Sequence, residues 1–290
     1  MIAFHKYHGL GNDYLVVDPG ESSMALSPDF IRRLCDRHRG AGSDGVLYGP
    51  LPGEDGPLSL TIWNPDGSEA EKSGNGIRIF VRYLYDTGRV GGEPFELSTR
   101  GGRVRAQVLD AGRLVRVEIG QVSFDARLIP VAGLDGDVLD RPIEVEGHWL
   151  SFSAATVGNP HCIVPCDQIS PDLACRLGPL LERHPLFPNR TNVQFLRVLD
   201  DSHIQIEIWE RGAGYTLASG TSSVAAAAVA HRLGLCGNEI EVAMPGGTLQ
   251  VQLARDFTAT LTGPVTPVYD GVLRNAWDLQ VEEENQTGKR

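Results

Sequence analysis

Apolar and polar positions alternate in two similar patterns along this chain, about half its length apart. Leu58 to Trp63 is a short strand-like run closed by the turn formers Asn64-Pro65-Asp66-Gly67. Ile204 to Trp209 repeats the pattern ahead of Glu210-Arg211-Gly212. A glycine-containing segment follows each run, and then a helix. In the first helix Ile77, Phe80, Val81 and Leu84 fall at i, i+3, i+4 and i+7, which predicts a half-buried helix. In the second, Val224 leads a run of alanines, a composition that favours helix and permits close packing. Gly88 and Gly234 are placed to close the two helices. Strands are expected again at Phe95 to Ser98 and Glu239 to Ala243, each turning back at a Gly-Gly pair, Gly101-Gly102 and Gly246-Gly247.

The landmarks keep a nearly constant offset. Ser73-Gly74 and Ser219-Gly220 lie 146 residues apart, as do Asn64 and Glu210, and Gly88 and Gly234; Gly11-Asn12 and Gly158-Asn159 lie 147 apart. Two copies make this a duplication and not a solenoid. The expected fold is α+β: two pseudo-symmetric domains, each a curved, mostly antiparallel, barrel-like sheet around a central helix. The first half is expected over residues 1–120, joined by a last strand near 265–280, the second over 121–264, with a frayed tail at 281–290.

Composition narrows the class. A chain of 290 residues with 41% hydrophobic content has enough apolar material for a sizeable core. A formal charge of −11 argues against nucleic acid as a partner, because phosphate contacts need clustered cations. The closest approach to a cluster, Arg32, Arg33, Arg37 and Arg39, reads as one solvated helix face among acids. The apolar run Val224 to Ala230 is too short to span a bilayer, so no membrane partner is expected. Five irregularly spaced cysteines, Cys35, Cys162, Cys166, Cys175 and Cys236, suggest reduced thiols and a cytoplasmic location, and no metal site is expected from their spacing.

Ser73 and Ser219 stand at the predicted N-termini of the two helices. Such termini offer free N–H groups and a partial positive charge. Glycines 74, 76 and 220 let a ligand approach the backbone. If the halves face each other, both termini converge on one cleft that suits a small anion such as an amino-acid carboxylate.

The chain resembles the diaminopimelate epimerase family over nearly its full length. The resemblance rests on His8-Gly9-Leu10-Gly11-Asn12-Asp13-Tyr14, Asn64-Pro65-Asp66-Gly67-Ser68-Glu69, Gly74-Asn75-Gly76-Ile77-Arg78, Gly158-Asn159-Pro160-His161-Cys162, Thr191-Asn192 and Glu210-Arg211-Gly212-Ala213-Gly214. It implies two pseudo-symmetric domains and a cofactor-independent racemase or epimerase acting on a diaminopimelate-like amino acid, as a monomer or homodimer. In the family, one cysteine thiolate removes the α-proton and a second thiol protonates the opposite face. The residues that hold substrate map by resemblance onto Asn12, Asn64, Gly74, Asn75, Asn159, Asn192, Glu210, Arg211, Gly220 and Thr221. The catalytic positions map onto Ser73 and Ser219, with His161 nearby.

Here the chain departs from its relatives, since serine stands at both thiol positions, and Tyr215 stands where the family usually has glutamate. A hydroxyl is a weaker acid than a thiol by roughly five units, at ~1.4 kcal/mol each. An unassisted serine base would therefore lose about five decades in rate. Serine acts only where a neighbour activates it, and His161 and Lys72 are the candidates seen in the sequence. Three readings fit this pattern: α-carbon isomerisation with other residues assisting, a redirected lyase, dehydratase or isomerase on the same scaffold, or a non-catalytic amino-acid binding protein.

Overall fold

The computed structural model describes residues 1–21, 26–52 and 58–273. The expected tail at 281–290 lies outside the described residues. The first half runs β1 (Ile2–Gly9), β2 (Asn12–Val17), α1 (Pro28–Cys35), β3 (Val46–Leu51), β4 (Leu58–Trp63), β5 (Glu69–Ala70), α2 (Gly74–Asp86), β6 (Phe95–Thr99), β7 (Gly102–Leu109) and β8 (Leu114–Gln121). The second runs β9 (Arg141–Val145), β10 (His148–Thr156), β11 (Pro160–Pro165), α3 (Pro171–Glu182), β12 (Asn192–Val198), β13 (His203–Glu210), β14 (Gly214–Thr216), α4 (Gly220–Arg232), β15 (Glu239–Met244), β16 (Gly247–Leu253) and β17 (Thr258–Pro264), followed by β18 (Thr266–Leu273).

The strands form a single ladder with an internal pseudo-dyad. From one end it reads β18-β1-β2-β3-β4-β6-β7-β8, then crosses to β17 and continues β16-β15-β13-β12-β11-β10-β9. Most neighbours are antiparallel. The parallel exceptions match between the halves: β2 with β3 and β11 with β12, β4 with β6 and β13 with β15. Register matches too. Leu15 faces Val46, and Cys162 faces Val193, both pairs shifted by 147. By this register Tyr14 and His161 occupy equivalent places in the two halves, as do Gly45 and Asn192. The centre of the ladder is the antiparallel β8–β17 pair.

The sequence stripe predicts a half-buried α2, but the helix is enclosed. Gly74 to Val81, Tyr83 and Leu84 are all buried, and in α4 everything from Ser222 to Ala230 is buried. The reason is curvature. The sheet curls over both helices, so the apolar cluster that includes Ile77, Phe80 and Leu84 is continuous with Ala225 to Ala230 and with Leu261 of β17. Small side chains on α4 permit that approach. The helix ends are as expected: Gly88 (φ 70°) and Gly234 (φ 73°) take the left-handed conformation one residue beyond the caps Thr87 and Leu233. The other helices lie outside the curved sheet, which does not close into barrels, over separate apolar clusters, α1 over Ile2, Leu15 and Val17, and α3 over Phe152, Val193 and Phe195. Serines 27 and 170 cap them, with Ser170 Oγ accepting from Leu173 N at 3.1 Å.

The arginine group does not form one helix face. α1 ends at Cys35, and Arg37 follows it in a loop that turns back toward β2. Its guanidinium donates to Asp13 Oδ1 (2.6 Å) and Asp44 Oδ1 (2.7 Å). Among the described residues, no helix is long and apolar enough to cross a membrane.

Candidate active site

The two enclosed helices start at the same point in space. A Cβ built on Gly74 would lie 3.5 Å from Gly220 Cα, and one built on Gly220 would lie 3.4 Å from Gly74 Cα. Glycine at both positions lets the backbones meet with no side chain between them. The paired N-termini open into a cleft of about 990 Å³. Its walls include all the residues mapped by resemblance to substrate holding, Asn12, Asn64, Gly74, Asn75, Asn159, Asn192, Glu210, Arg211, Gly220 and Thr221, together with Ser73 and Ser219.

The serines occupy equivalent cap positions but spend their hydroxyls differently. Ser73 Oγ accepts from Gly76 N at 3.0 Å and lies 3.1 Å from the Tyr14 hydroxyl. Ser219 makes no side-chain cap bond; its hydroxyl interacts instead with the Glu210 carboxylate, which also accepts from Thr216 Oγ1 at 3.3 Å. Burial pushes the Glu210 pKa up, and the negative Asp44 adds to this, while Ser219 and Thr216 oppose it. Burial likewise pushes Tyr14 up to about 12, helped by the charges of Glu210 and Asp44 and opposed by the bond to Ser73. One side of the cleft therefore carries a buried carboxyl group of raised pKa and the other a protonated phenol.

The asparagines are held by the same logic on both sides. Asn75 Nδ2 donates to Asn12 Oδ1 (3.0 Å), and Asn12 Nδ2 donates to Asp44 Oδ2 (2.9 Å). In the second half Asn159 Nδ2 donates to Thr221 Oγ1 (3.3 Å), Thr221 standing where the first half has Asn75. Behind Asn75 lies the fully buried Arg78, which donates to Asn75 Oδ1 (2.9 Å) and Gly74 O (3.3 Å). Burial alone brings its pKa down to about 10, which still leaves a cation under the two helix N-termini at neutral pH. Asn192 spans the second half, donating to Pro160 O (2.9 Å) and accepting from Arg211 N (2.9 Å). The adjoining turn is fixed from below by buried Glu182, which accepts from Gly212 N (3.1 Å) and Trp209 Nε1 (2.8 Å).

Two expectations about activators meet a different geometry. His161 is fully buried in β11 and is not part of the cleft wall. Its Nε2 donates to Asn159 Oδ1 (3.0 Å) and the ring also meets Gln194; burial brings its pKa down to about 3, so it is neutral. Lys72 does line the cleft, but its Nζ donates to Ile119 O at 2.9 Å, and burial lowers its pKa against the opposing charge of Glu118. Tyr215 lines the cleft with its hydroxyl donating to Glu207 Oε2 at 2.7 Å. Sequence reasoning missed Tyr14, Asp44, Arg78 and Glu182 as parts of the site. Tyr14 and Arg78 stand inside matched motifs, so the signal was present; Asp44 and Glu182 arrive through pairing of distant segments.

The walls thus combine basic residues (Arg37, Lys72, Arg211) with acidic ones (Asp44, Glu71, Glu210) around two helix N-termini, a lining that matches a zwitterionic acid. The chain matches the family described as Diaminopimelate epimerase over residues 4–124 and 153–268. It belongs to the diaminopimelate epimerase family. Diaminopimelate epimerase 2 of a Nostoc species is 54% identical over 270 residues, covering 93% of this chain and 95% of that protein. Diaminopimelate epimerase of Moorella thermoacetica is 40% identical, covering 92% and 98%. The fold is shared with more distant solved structures. A probable proline racemase from Agrobacterium radiobacter superposes with a TM-score of 0.68 at 19% identity, covering 94% of this chain and 93% of that one. A hydroxyproline epimerase from Agrobacterium vitis superposes at 0.66, also at 19% identity, covering 93% and 91%.

Proposed function

We propose that this chain is a cofactor-independent amino-acid epimerase that inverts an α-carbon of a diaminopimelate-like diamino diacid. The observation that carries the reading is the meeting of two helix N-termini in one cleft with Ser73 and Ser219 at equivalent caps. The α-carboxylate sits on the N–H groups of Gly74, Asn75, Gly220 and Thr221, with the buried Arg78 cation beneath them. That placement stabilises the charge that develops as the α-proton leaves. Asn64, Asn192 and Arg211 hold the distal polar terminus.

Serine replaces the family's thiol at both proton-transfer positions. The Glu210 carboxylate is the base on the Ser219 side. Burial raises its pKa, which makes it a stronger base than an exposed carboxylate. His161 acts one step back, by orienting Asn159. Arrangement as a monomer or homodimer and a cytoplasmic setting belong to the same proposal.

The test is incubation with a panel of amino acids in heavy water. Uptake of deuterium at the α-carbon with inversion, strongest for diaminopimelate, supports this reading. Release of water or ammonia would replace it with an elimination, and tight binding without any exchange would replace it with a binding protein.

A further inference from the structure

We propose that Tyr14 is the proton source for Ser73, so that the two stereoisomers are deprotonated by different oxygen pairs: Glu210 through Ser219 on one face, Tyr14 through Ser73 on the other. This rests on the epimerase reading above and specifies its second face. Nothing about the Ser73 position alone would make it an acid. Its Oγ already accepts the Gly76 N–H, a bond that belongs to the helix cap. The other partner is the Tyr14 hydroxyl at 3.1 Å. With Tyr14 donating, both acceptor positions of Ser73 Oγ are filled, and the serine's own O–H remains for the cleft that Ser73 lines.

Tyr14 is built for this place. It is buried in β2, and its ring lies against Gly45, where an added Cβ would be 2.6 Å from Tyr14 Cε1. In the duplicated ladder Tyr14 occupies the position that holds His161 in the second half, yet the two side chains serve different ends. His161 supports Asn159, while Tyr14 reaches the serine. Lys72, the other polar neighbour in sequence, is committed to Ile119 O. Burial keeps the phenol protonated at neutral pH, as an acid requires.

The transfers balance. In one direction the α C–H bond breaks and its hydrogen goes to Ser219 Oγ as the Ser219 proton goes to Glu210. The bonding pair stays on the α-carbon. On the opposite face that pair takes the Ser73 proton, and the Tyr14 proton refills Ser73. Glu210 is left as the acid and Tyr14 as phenolate, and bulk water returns the proton from one to the other. The other stereoisomer runs the same steps in reverse, from the minor form of the enzyme in which water has carried the Tyr14 proton to Glu210, so that the phenolate is the base and the Glu210 carboxylic acid refills Ser219. Nothing is oxidised or reduced.

The experiment follows α-hydrogen exchange in heavy water, separately for the two diaminopimelate stereoisomers that differ at one α-carbon, in the full chain. In Tyr14→Phe, exchange from one stereoisomer is expected to fall by about 10²–10³, while the other exchanges with retention at close to its original rate and inversion falls by the same factor. In Glu210→Gln the pattern is expected to be reciprocal. A second probe leaves the packing intact: a fluorotyrosine at position 14, which lowers the phenol pKa. It is expected to move the pH profile of the Tyr14-dependent exchange downward and to leave the other unchanged. Equal loss of exchange from both stereoisomers in Tyr14→Phe, or no loss from either together with an unmoved pH profile in the fluorotyrosine protein, would overturn the role of Tyr14. Absence of exchange in the unaltered protein would instead overturn the epimerase reading itself, so the two failures are distinguishable.

Discussion

Around Ser73 the cleft presents Tyr14 and Asn64; at the equivalent places around Ser219, Glu210 lines the cleft and His161 lies buried behind Asn159. The backbone is the same on both sides down to strand register, and the helix starts touch at paired glycines. The ionisable groups are not the same. The first half offers a neutral hydroxyl chain, and Ser73 keeps its bond to the helix backbone. The second offers a carboxylate, and Ser219 gives up the cap bond to meet it. A duplicated scaffold can thus hold a ligand symmetrically while treating its two faces asymmetrically. Geometry is inherited through glycines and register, whereas acid and base strength is set by the few side chains that burial shifts.

The strongest way to break this contrast is to place thiols on both sides. In Ser73→Cys with Ser219→Cys, diaminopimelate epimerisation is expected to rise by about 10³ or more, because a thiol near pKa 8.5 at a helix N-terminus ionises far more readily than a hydroxyl. The check is kcat by coupled or chiral assay, and no gain would mean that the cleft reads a different substrate. Next comes Glu210→Gln, which removes the base from one side only. A loss of about 10²–10³ in kcat is expected, and the unaltered protein should show an acid limb above the ordinary glutamate value of 4.5. The same substitution sharpens the contrast through stability. Glu210 has a folded pKa above its unfolded one, so its ionisation opposes folding. That penalty is absent below 4.5, builds as pH rises through the folded value, and is complete above it. Glu210→Gln should therefore raise Tm at neutral pH, with the advantage shrinking as the solution is acidified. A lower Tm at neutral pH would show that the carboxylate supports the fold through its bonds to Ser219 and Thr216.

How far the sequence shows this site depends on the range of each interaction. The duplication was legible because its landmarks are turn glycines, cap serines and amides, whose spacing survives as a nearly constant offset. β4 falls on Leu58–Trp63 as its apolar run predicts, and both Gly-Gly turns close hairpins. Helix burial was underestimated, since a stripe at i, i+3, i+4, i+7 reports contact with one layer and says nothing of a sheet that curls around the far side. Arg37 was misplaced for a related reason. Its partners Asp13 and Asp44 are brought to it by the parallel β2–β3 pairing, a contact without local periodicity. The division of labour between Tyr14 and His161 is also invisible before the register is known, since only the ladder places them at equivalent positions.

The smallest effect tests the glycine contact on which both faces depend. At Gly74 an added Cβ meets nothing nearer than 3.5 Å, so Gly74→Ala should leave Tm nearly unchanged, with the better helix propensity of alanine offsetting the contact. At Gly220 the Cβ meets Leu261 Cδ2 at 3.0 Å, and Leu261 is fully buried in β17, where a methyl has little room to give. Gly220→Ala should cost about 1 kcal/mol, read as a Tm lower by about 2–4 °C in thermal unfolding. The double variant should fall below the sum of the two, because each Cβ stands 3.4–3.5 Å from the other glycine's Cα and the pair must separate together. Strict additivity would mean that the helix starts do not share one contact, and with it would go the geometric ground for a single cleft with two faces.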